Sequence, residues 1–381
     1  MSSDVKRTVS MFLSTALSII EKFQENQNAT FFKSSLKRHF HLFTVSPSKT
    51  IMPSPHEKQS TFVIAGGIRE ELFSRGLQDN LNLRSASALV DPKKHSSILN
   101  IHEEYLLAGA SHLITCNYDV VPGRGFTPDE IVQFTRLAGR LALTARTNAE
   151  SNEANFPATV CGSLPPLYPS FRYDRTFDAE GLKRTYLLIA ESLWSFCDVY
   201  IAESMSSIAE AKLAFEAVEH LGKPIIVSFA LNTAGGLRSG QDVIQAYEQM
   251  ILFHKSRVEL ERETASPKLE AILFDSSQPE DIAKAIKRLS KSESILAQMR
   301  EHSIHWGGYG DHISPTSRAG FLEERIAPGA LNSKLDVEIF NGFMQKWKAL
   351  GARYVGGCCG IGPEYIQVLR QNLSTPTCLR P

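Results

Sequence analysis

From Thr61 onward, short runs of strand-forming apolar residues alternate with longer segments of helical period, and no other feature restricts the fold as strongly. The strand-type runs fall at 62–65, 112–117, 158–162, 198–202, 224–229, 269–274, about 303–306, and 352–356. Helical segments are expected over 97–110, 127–148, 178–196, 206–221, 241–254, 279–289 and 336–350. Thr127-Pro128-Asp129-Glu130 is the clearest helix start: a capping threonine, proline at the first helical position, and a glutamate that can reach back to the cap. Eight strand-helix units over about 320 residues predict an α/β fold, a closed (β/α)8 barrel of the TIM type, rather than an open sheet. The charged segment 255–268 and the stretch 311–334 read as insertions between units.

In such a barrel the chemistry sits at the C-terminal ends of the strands. Gly66-Gly67, Asn117, Ser163, Glu203, Asp275-Ser276 and Cys358-Cys359 all fall at those ends and are expected around one mouth. The segment 355–364 has the most specific surroundings. Cys358 and Cys359 stand among Gly356, Gly357, Gly360 and Gly362 where a strand gives way to a helix that opens at Pro363-Glu364. Vicinal thiolates are soft ligands suited to zinc, which with an open fourth position binds and deprotonates an incoming thiol; a glycine-rich turn with two inert thiols is the other reading. Glu203 is expected either to hold a cationic amino group or to pair with a barrel-top arginine, and backbone amides near Gly66 and Gly67 are expected to hold a carboxylate. Tyr118, Trp306 and Tyr309 offer aromatic faces to a cationic sulfonium, or pack in the core. Cys116 and Cys161 read as buried small residues, and Cys197 and Cys378 carry no assigned role.

Forty-one basic and forty-one acidic residues cancel, which leaves no charge excess to recruit nucleic acid or an acidic membrane. A small neutral or zwitterionic ligand is the expected partner. Six cysteines in 381 residues do not make a disulfide framework and point to a reducing compartment. Residues 1–60 differ from the rest: Lys6-Arg7 precede an apolar run from Val9 to Ile20, which is too short to span a bilayer. Asp4 and Glu21 argue against a cleaved presequence, so 1–60 is expected to be a non-catalytic extension, in part disordered, ending at the linker Pro53-Ser54-Pro55. The barrel domain is expected over 61–375 and the location is expected to be cytoplasmic, the alternative being a mitochondrion or plastid if 1–50 is a targeting peptide.

The run Gly-Gly-Cys-Cys-Gly-Ile-Gly-Pro-Glu-Tyr-Ile at 356–366, Ala202-Glu203-Ser204, Gly66-Gly67 with Glu71-Leu72 and Arg75-Gly76, and Ala108-Gly109-Ala110 before Ile114-Thr115-Cys116-Asn117 resemble the homocysteine S-methyltransferase family. The resemblance covers about 61–373. It implies a (β/α)8 barrel that passes a methyl group to the sulfur of homocysteine, giving methionine, with zinc held by Cys358, Cys359 and a third cysteine on the sixth strand. It also implies that Glu203 binds the homocysteine amino group, with Gly66, Gly67, Asn117 and Ser163 around the substrate. Three positions depart from the family pattern. Ser276 stands where the third zinc cysteine belongs, Ala65 where the first strand usually ends in aspartate, and Cys116-Asn117-Tyr118-Asp119 where the family has Thr-Asn-Thr-Tyr. The expectation is therefore one zinc ion with an incomplete ligand set, a small thiol as acceptor, and a sulfonium such as S-methylmethionine as donor. Altered chemistry on another small sulfur compound, or a non-catalytic ligand-binding barrel, stays open beside it.

Overall fold

The computed structural model describes residues 61–77, 82–151, 157–167, 178–260, 268–313 and 331–374, all within a compact unit spanning Gln59–Pro381. The extension expected over 1–60, and Cys378, lie outside the described residues. Eight strands close into a barrel in sequence order, with β1 (Phe62–Ile64) beside both β2 (His112–Ile114) and β8 (Tyr354–Gly357). Between them lie β3 (Thr159–Leu164), β4 (Val199–Met205), β5 (Ile225–Ala230), β6 (Leu269–Asp275) and β7 (His305–Gly310). Every pair is parallel, as the strand-helix alternation requires.

The helices that cover the barrel are α1 (Ile68–Ser74), α2 (Ser87–Val90), α3 (His95–Leu107), α4 (Pro128–Ser151), α5 (Ala179–Leu193), α6 (Ile208–Val218) and α7 (Val243–Leu260). They are followed by α8 (Pro279–Leu289), α9 (Glu293–Glu301), α10 (Val337–Ala349) and α11 (Pro363–Ser374). The start of α4 is the expected capping box. Thr127 N donates to Glu130 Oε2 at 2.9 Å, and Glu130 N donates to Thr127 Oγ1 at 3.4 Å. Ile131, Thr135, Ala138, Ala142, Ala145 and Ala149 recur at three- and four-residue spacing along α4 and are all buried, so one stripe of small side chains lies against the neighbouring elements.

Three expectations are corrected. The glycine-rich Gly307-Gly308-Tyr309-Gly310 was expected to follow the seventh strand, yet these residues form most of it. Glycine lowers β propensity in general, but here β7 approaches β8 so closely that a Cβ on Gly307 would lie 1.9 Å from Tyr354 O. The charged segment 255–268 does not begin as a loop, because α7 runs on through Leu260. An unforeseen helix, α9, fills the gap before β7.

Two apolar cores follow from the period of two along each strand. One layer faces the helices, and a smaller one fills the barrel, with Ile64, Cys161, Val199, Ile201, Ile226, Ala271, Leu273, Tyr309 and Tyr354 packed together. Each fully buried aliphatic side chain here contributes about 1.5–3 kcal/mol. The barrel is thus a packed plug below its mouth, which leaves the layer above the plug as the place for a ligand.

Candidate functional site

The same period of two carries polar groups to that upper layer. On β4, Val199 and Ile201 point inward and so does Glu203; on β6, Ala271 and Leu273 are followed by Asp275; on β8, Tyr354 and Gly356 are followed at the same parity by Cys358, just past the strand's end. Tyr309 and Cys358 line a cavity of about 110 Å³ with Glu203, Ser276, Cys359, Gly66 and Gly67. Trp306 is the exception among the aromatic residues considered from sequence. Its parity on β7 turns it toward the helices, where it packs in the outer core near Gly351, while Tyr118 and Tyr309 do line the cavity.

Glu203 is 6% exposed and its Oε1 accepts a short hydrogen bond from Ser163 Oγ. Removal from water, which the Ser163 hydrogen bond partly counters and nearby Asp275 reinforces, lifts its carboxyl to about 8. Ser163 is itself held in place. Its N–H donates to Thr115 Oγ1 at 2.9 Å, Thr115 Oγ1 donates to Asn117 Oδ1 at 2.7 Å, and Asn117 Nδ2 donates to Ser163 O at 3.0 Å. Asn117 and Ser163 are fully buried and do not line the cavity; Ser163 meets Glu203 directly, and Asn117 reaches it only through Ser163 and Thr115.

Gly66 and Gly67 are where the first strand meets the cysteine turn. A Cβ on Gly66 would lie 1.8 Å from Ile361 O and 2.7 Å from Tyr105 Oη, while one on Gly67 would lie 2.9 Å from Cys358 O. Tyr105 Oη shares its one proton between Ile361 O at 2.8 Å and Gly67 O at 3.0 Å, and Gly67 N donates to Cys358 O at 2.8 Å. Of the backbone amides near Gly66 and Gly67 expected to hold a ligand carboxylate, that of Gly67 is thereby committed to the protein. Gly66→Ala is expected to cost at least about 3 kcal/mol, because the contact is with backbone that cannot swing aside; urea unfolding of the two proteins measures it, and a loss below 1 kcal/mol would mean that strand and turn are not packed this closely.

Cys358 Sγ and Cys359 Sγ are 3.9 Å apart, and Ser276 Oγ lies 3.9 Å from Cys358 Sγ. Two sulfurs bound to one tetrahedral zinc stand about 3.8 Å apart, so the thiol pair has the spacing of two zinc ligands. The third position holds an uncharged hydroxyl. Asp275 next to it is engaged through one oxygen: its Oδ2 accepts from Ser204 N at 3.0 Å, Ser204 Oγ at 2.8 Å and Tyr309 Oη at 3.1 Å, while its buried Oδ1 has no hydrogen-bond partner. Burial, partly offset by these hydrogen bonds, still lifts its carboxyl to about 6. Ser276 Oγ is 2.6 Å from Ser204 Oγ, and both serines have left-handed backbone, with φ of +43° and +54°. Such conformations cost of order 1–3 kcal/mol in non-glycine residues and concentrate at functional sites. Among the described residues no group of three or more His, Cys, Asp or Glu side chains is placed to hold a metal ion. The thiol pair thus offers two positions spaced for zinc, and the neutral hydroxyl of Ser276 stands where a third thiolate would complete the set.

The remaining wall was not foreseen. Arg69, Glu70, Arg84, Ser85 and Asp119 all line the cavity. Asp119 carried a usable signal, since it follows Asn117 in the same strand-end loop; Arg84 carried none, as nothing nearby in the sequence ties it to a strand end. Cys116 lines the cavity too, with burial pushing its thiol up to about 12, and Cys161 is part of the barrel plug. Cys197 packs beneath Gly162.

The model of the family described as homocysteine S-methyltransferase matches residues 62–373. Homocysteine S-methyltransferase 1 of Brassica oleracea var. italica is 23% identical over 338 residues, covering 82% of this chain and 93% of that protein. Betaine–homocysteine S-methyltransferase 1 of Rattus norvegicus is 22% identical over 283 residues, covering 73% of this chain and 64% of the rat protein's length. Among solved structures, the metallated form of the homocysteine methyltransferase MmuM from Escherichia coli superposes with a TM-score of 0.62 at 21% identity, covering 83% of this chain and 97% of that one. At that identity the superposition speaks for the barrel fold.

Proposed function

We propose that this chain, which belongs to the homocysteine S-methyltransferase family, transfers a methyl group from a small sulfonium donor such as S-methylmethionine to the thiol of homocysteine, yielding methionine. The observation that carries the reading is the placing of Glu203 and the vicinal pair Cys358-Cys359 on one cavity. Glu203, oriented by Ser163, would take the substrate ammonium, an interaction that favours the ionised carboxylate over the neutral form burial prefers. With its amino end held there, the acceptor sulfur lies toward the cysteines. Zinc, when bound, supplies the acidity that turns a thiol into a thiolate at neutral pH, and Cys358, Cys359 and Ser276 are the residues that would hold it. The acceptor sulfur forms a bond to the methyl carbon, the donor's C–S bond breaks with its electron pair leaving on a neutral thioether, and the thiol proton passes to solvent. The buried walls exclude water, which competes poorly as a nucleophile but would screen the ion pair at Glu203.

Ser276 favours a second reading, in which the barrel acts on a different small sulfur compound or binds one without turning it over. The described cysteines are free, which fits the cytoplasmic location proposed, and among the described residues no helix is long and apolar enough to cross a membrane. The test is methionine formation from homocysteine by the full chain loaded with zinc, with S-methylmethionine and betaine as donors. Methionine that depends on Glu203 and on both cysteines is expected. Tight homocysteine binding without methionine from either donor would favour the second reading.

A further inference from the structure

The hydroxyl of Ser276 has a single proton and two lone pairs to place, and its surroundings decide where each goes. Asp275 Oδ2 accepts from Ser204 N and from Tyr309 Oη, so it stands as an acceptor. Ser204 Oγ, 2.8 Å from the same oxygen, spends its own proton there. In the 2.6 Å contact between Ser204 Oγ and Ser276 Oγ the proton therefore comes from Ser276. The Ser276 oxygen is left with lone pairs alone on its other side, where Cys358 Sγ lies 3.9 Å away and the cavity opens. A hydroxyl fixed in this way offers an acceptor to whatever sits between it and the thiols.

The backbone of Ser276 is fixed as well. Arg238 Nη2 donates to Ser276 O at 3.1 Å, and the neighbouring Ser277 Oγ accepts from Leu231 N at 2.8 Å. These contacts hold Ser276 in its left-handed conformation, φ +43°, which a free serine would leave. Ser204 is fully buried and does not line the cavity, whereas Ser276 does. The Ser204 hydroxyl thus meets the site only through Ser276.

We propose that Ser204 is a positioning residue for a metal ion at the thiol pair: it takes the Ser276 proton and so turns the Ser276 lone pairs toward the ion. The inference rests on the reading that Cys358 and Cys359 hold zinc. A serine hydroxyl that rotates freely is a poor ligand, because its proton repels a cation whenever it faces one; with the proton engaged behind it, only lone pairs face the metal. Groups that orient a metal ligand from behind contribute about 10–100-fold to affinity. The Asp275–Ser204–Ser276 chain would in this way offset part of what the missing thiolate costs.

The experiment is competition for zinc between the full chain and a chromophoric chelator, run as a double-mutant cycle. Ser204→Gly, which suits left-handed backbone and keeps the N–H to Asp275, is expected to weaken zinc at least about tenfold, and Ser204→Ala to do the same. Ser276→Ala is expected to weaken zinc as much, and adding Ser204→Gly to it to change the affinity by less than about twofold, because Ser204 acts only through Ser276. Unchanged affinity in either Ser204 variant would overturn the proposal. So would a loss that multiplies with that of Ser276→Ala, which is what general damage to the end of β4 produces. Cys358→Ser and Cys359→Ser keep this proposal apart from the zinc reading. Wild-type protein that takes up no zinc, or zinc affinity that neither cysteine variant changes, overturns both. Zinc lost from the cysteine variants but held unchanged by the Ser204 variants overturns the positioning role alone.

Discussion

Glu203→Gln is expected to make the protein more stable at pH 8 and above while weakening homocysteine binding at least tenfold. The carboxyl ordinarily titrates near 4.5, and burial lifts it to about 8 in the folded chain. In the unfolded chain it therefore ionises from about pH 4.5 upward, and in the folded chain only near 8. Its contribution to stability is full below pH 4.5 and is lost progressively as the pH rises to 8, by an amount of order 2–5 kcal/mol. Glutamine keeps an acceptor for Ser163 Oγ and never ionises, so the variant escapes that loss. Its gain in melting temperature is expected to grow from near zero at pH 4.5 to a plateau above pH 8. A gain that is the same at every pH would mean that Glu203 is not the titrating group. Binding runs the other way: an ammonium ligand selects the ionised carboxylate, so wild-type affinity is expected to fall toward about tenfold per pH unit below 8, while the variant's affinity stays flat. Stability held back at a site that needs charge is the usual trade between stability and function.

Ser276→Cys is expected to raise zinc affinity at least about 100-fold, since it adds a charged soft ligand where the wild-type protein offers a neutral hydroxyl. Ser276 Oγ already lies 3.9 Å from Cys358 Sγ, so the new sulfur needs little rearrangement to join the pair. The cost is the hydrogen bond to Ser204 Oγ, about 1 kcal/mol in the metal-free protein. Competition with a chromophoric chelator measures the affinity, and Cys358→Ser in the same assay shows whether the metal sits at the pair. Unchanged affinity in Ser276→Cys would place Ser276 away from the metal. Restored methyl transfer in that variant, where wild type is slow, would indicate that the missing sulfur limits the chemistry.

The sequence determined the barrel and the residues at the ends of its first, fourth, sixth and eighth strands that line the cavity. Strand-forming runs separated by helical segments admit parallel pairing alone, and the glycine-flanked cysteines mark the end of the last strand without help from tertiary contacts. Glu203 was legible for the same reason, as a lone acid ending an apolar run. What failed from sequence depended on contacts between distant segments. The glycines of β7 became strand because Tyr354 lies against them. Asn117 and Ser163 lie outside the cavity lining, bonded to each other and to Thr115, which no local pattern foretells. Arg84 became part of the site because Asp119, 35 positions later in the chain, fastens the turn that carries it. Local pattern reports which face of an element is apolar. Which polar groups remain open to a ligand is decided only when every other donor and acceptor has found its partner, and that is a property of the folded chain.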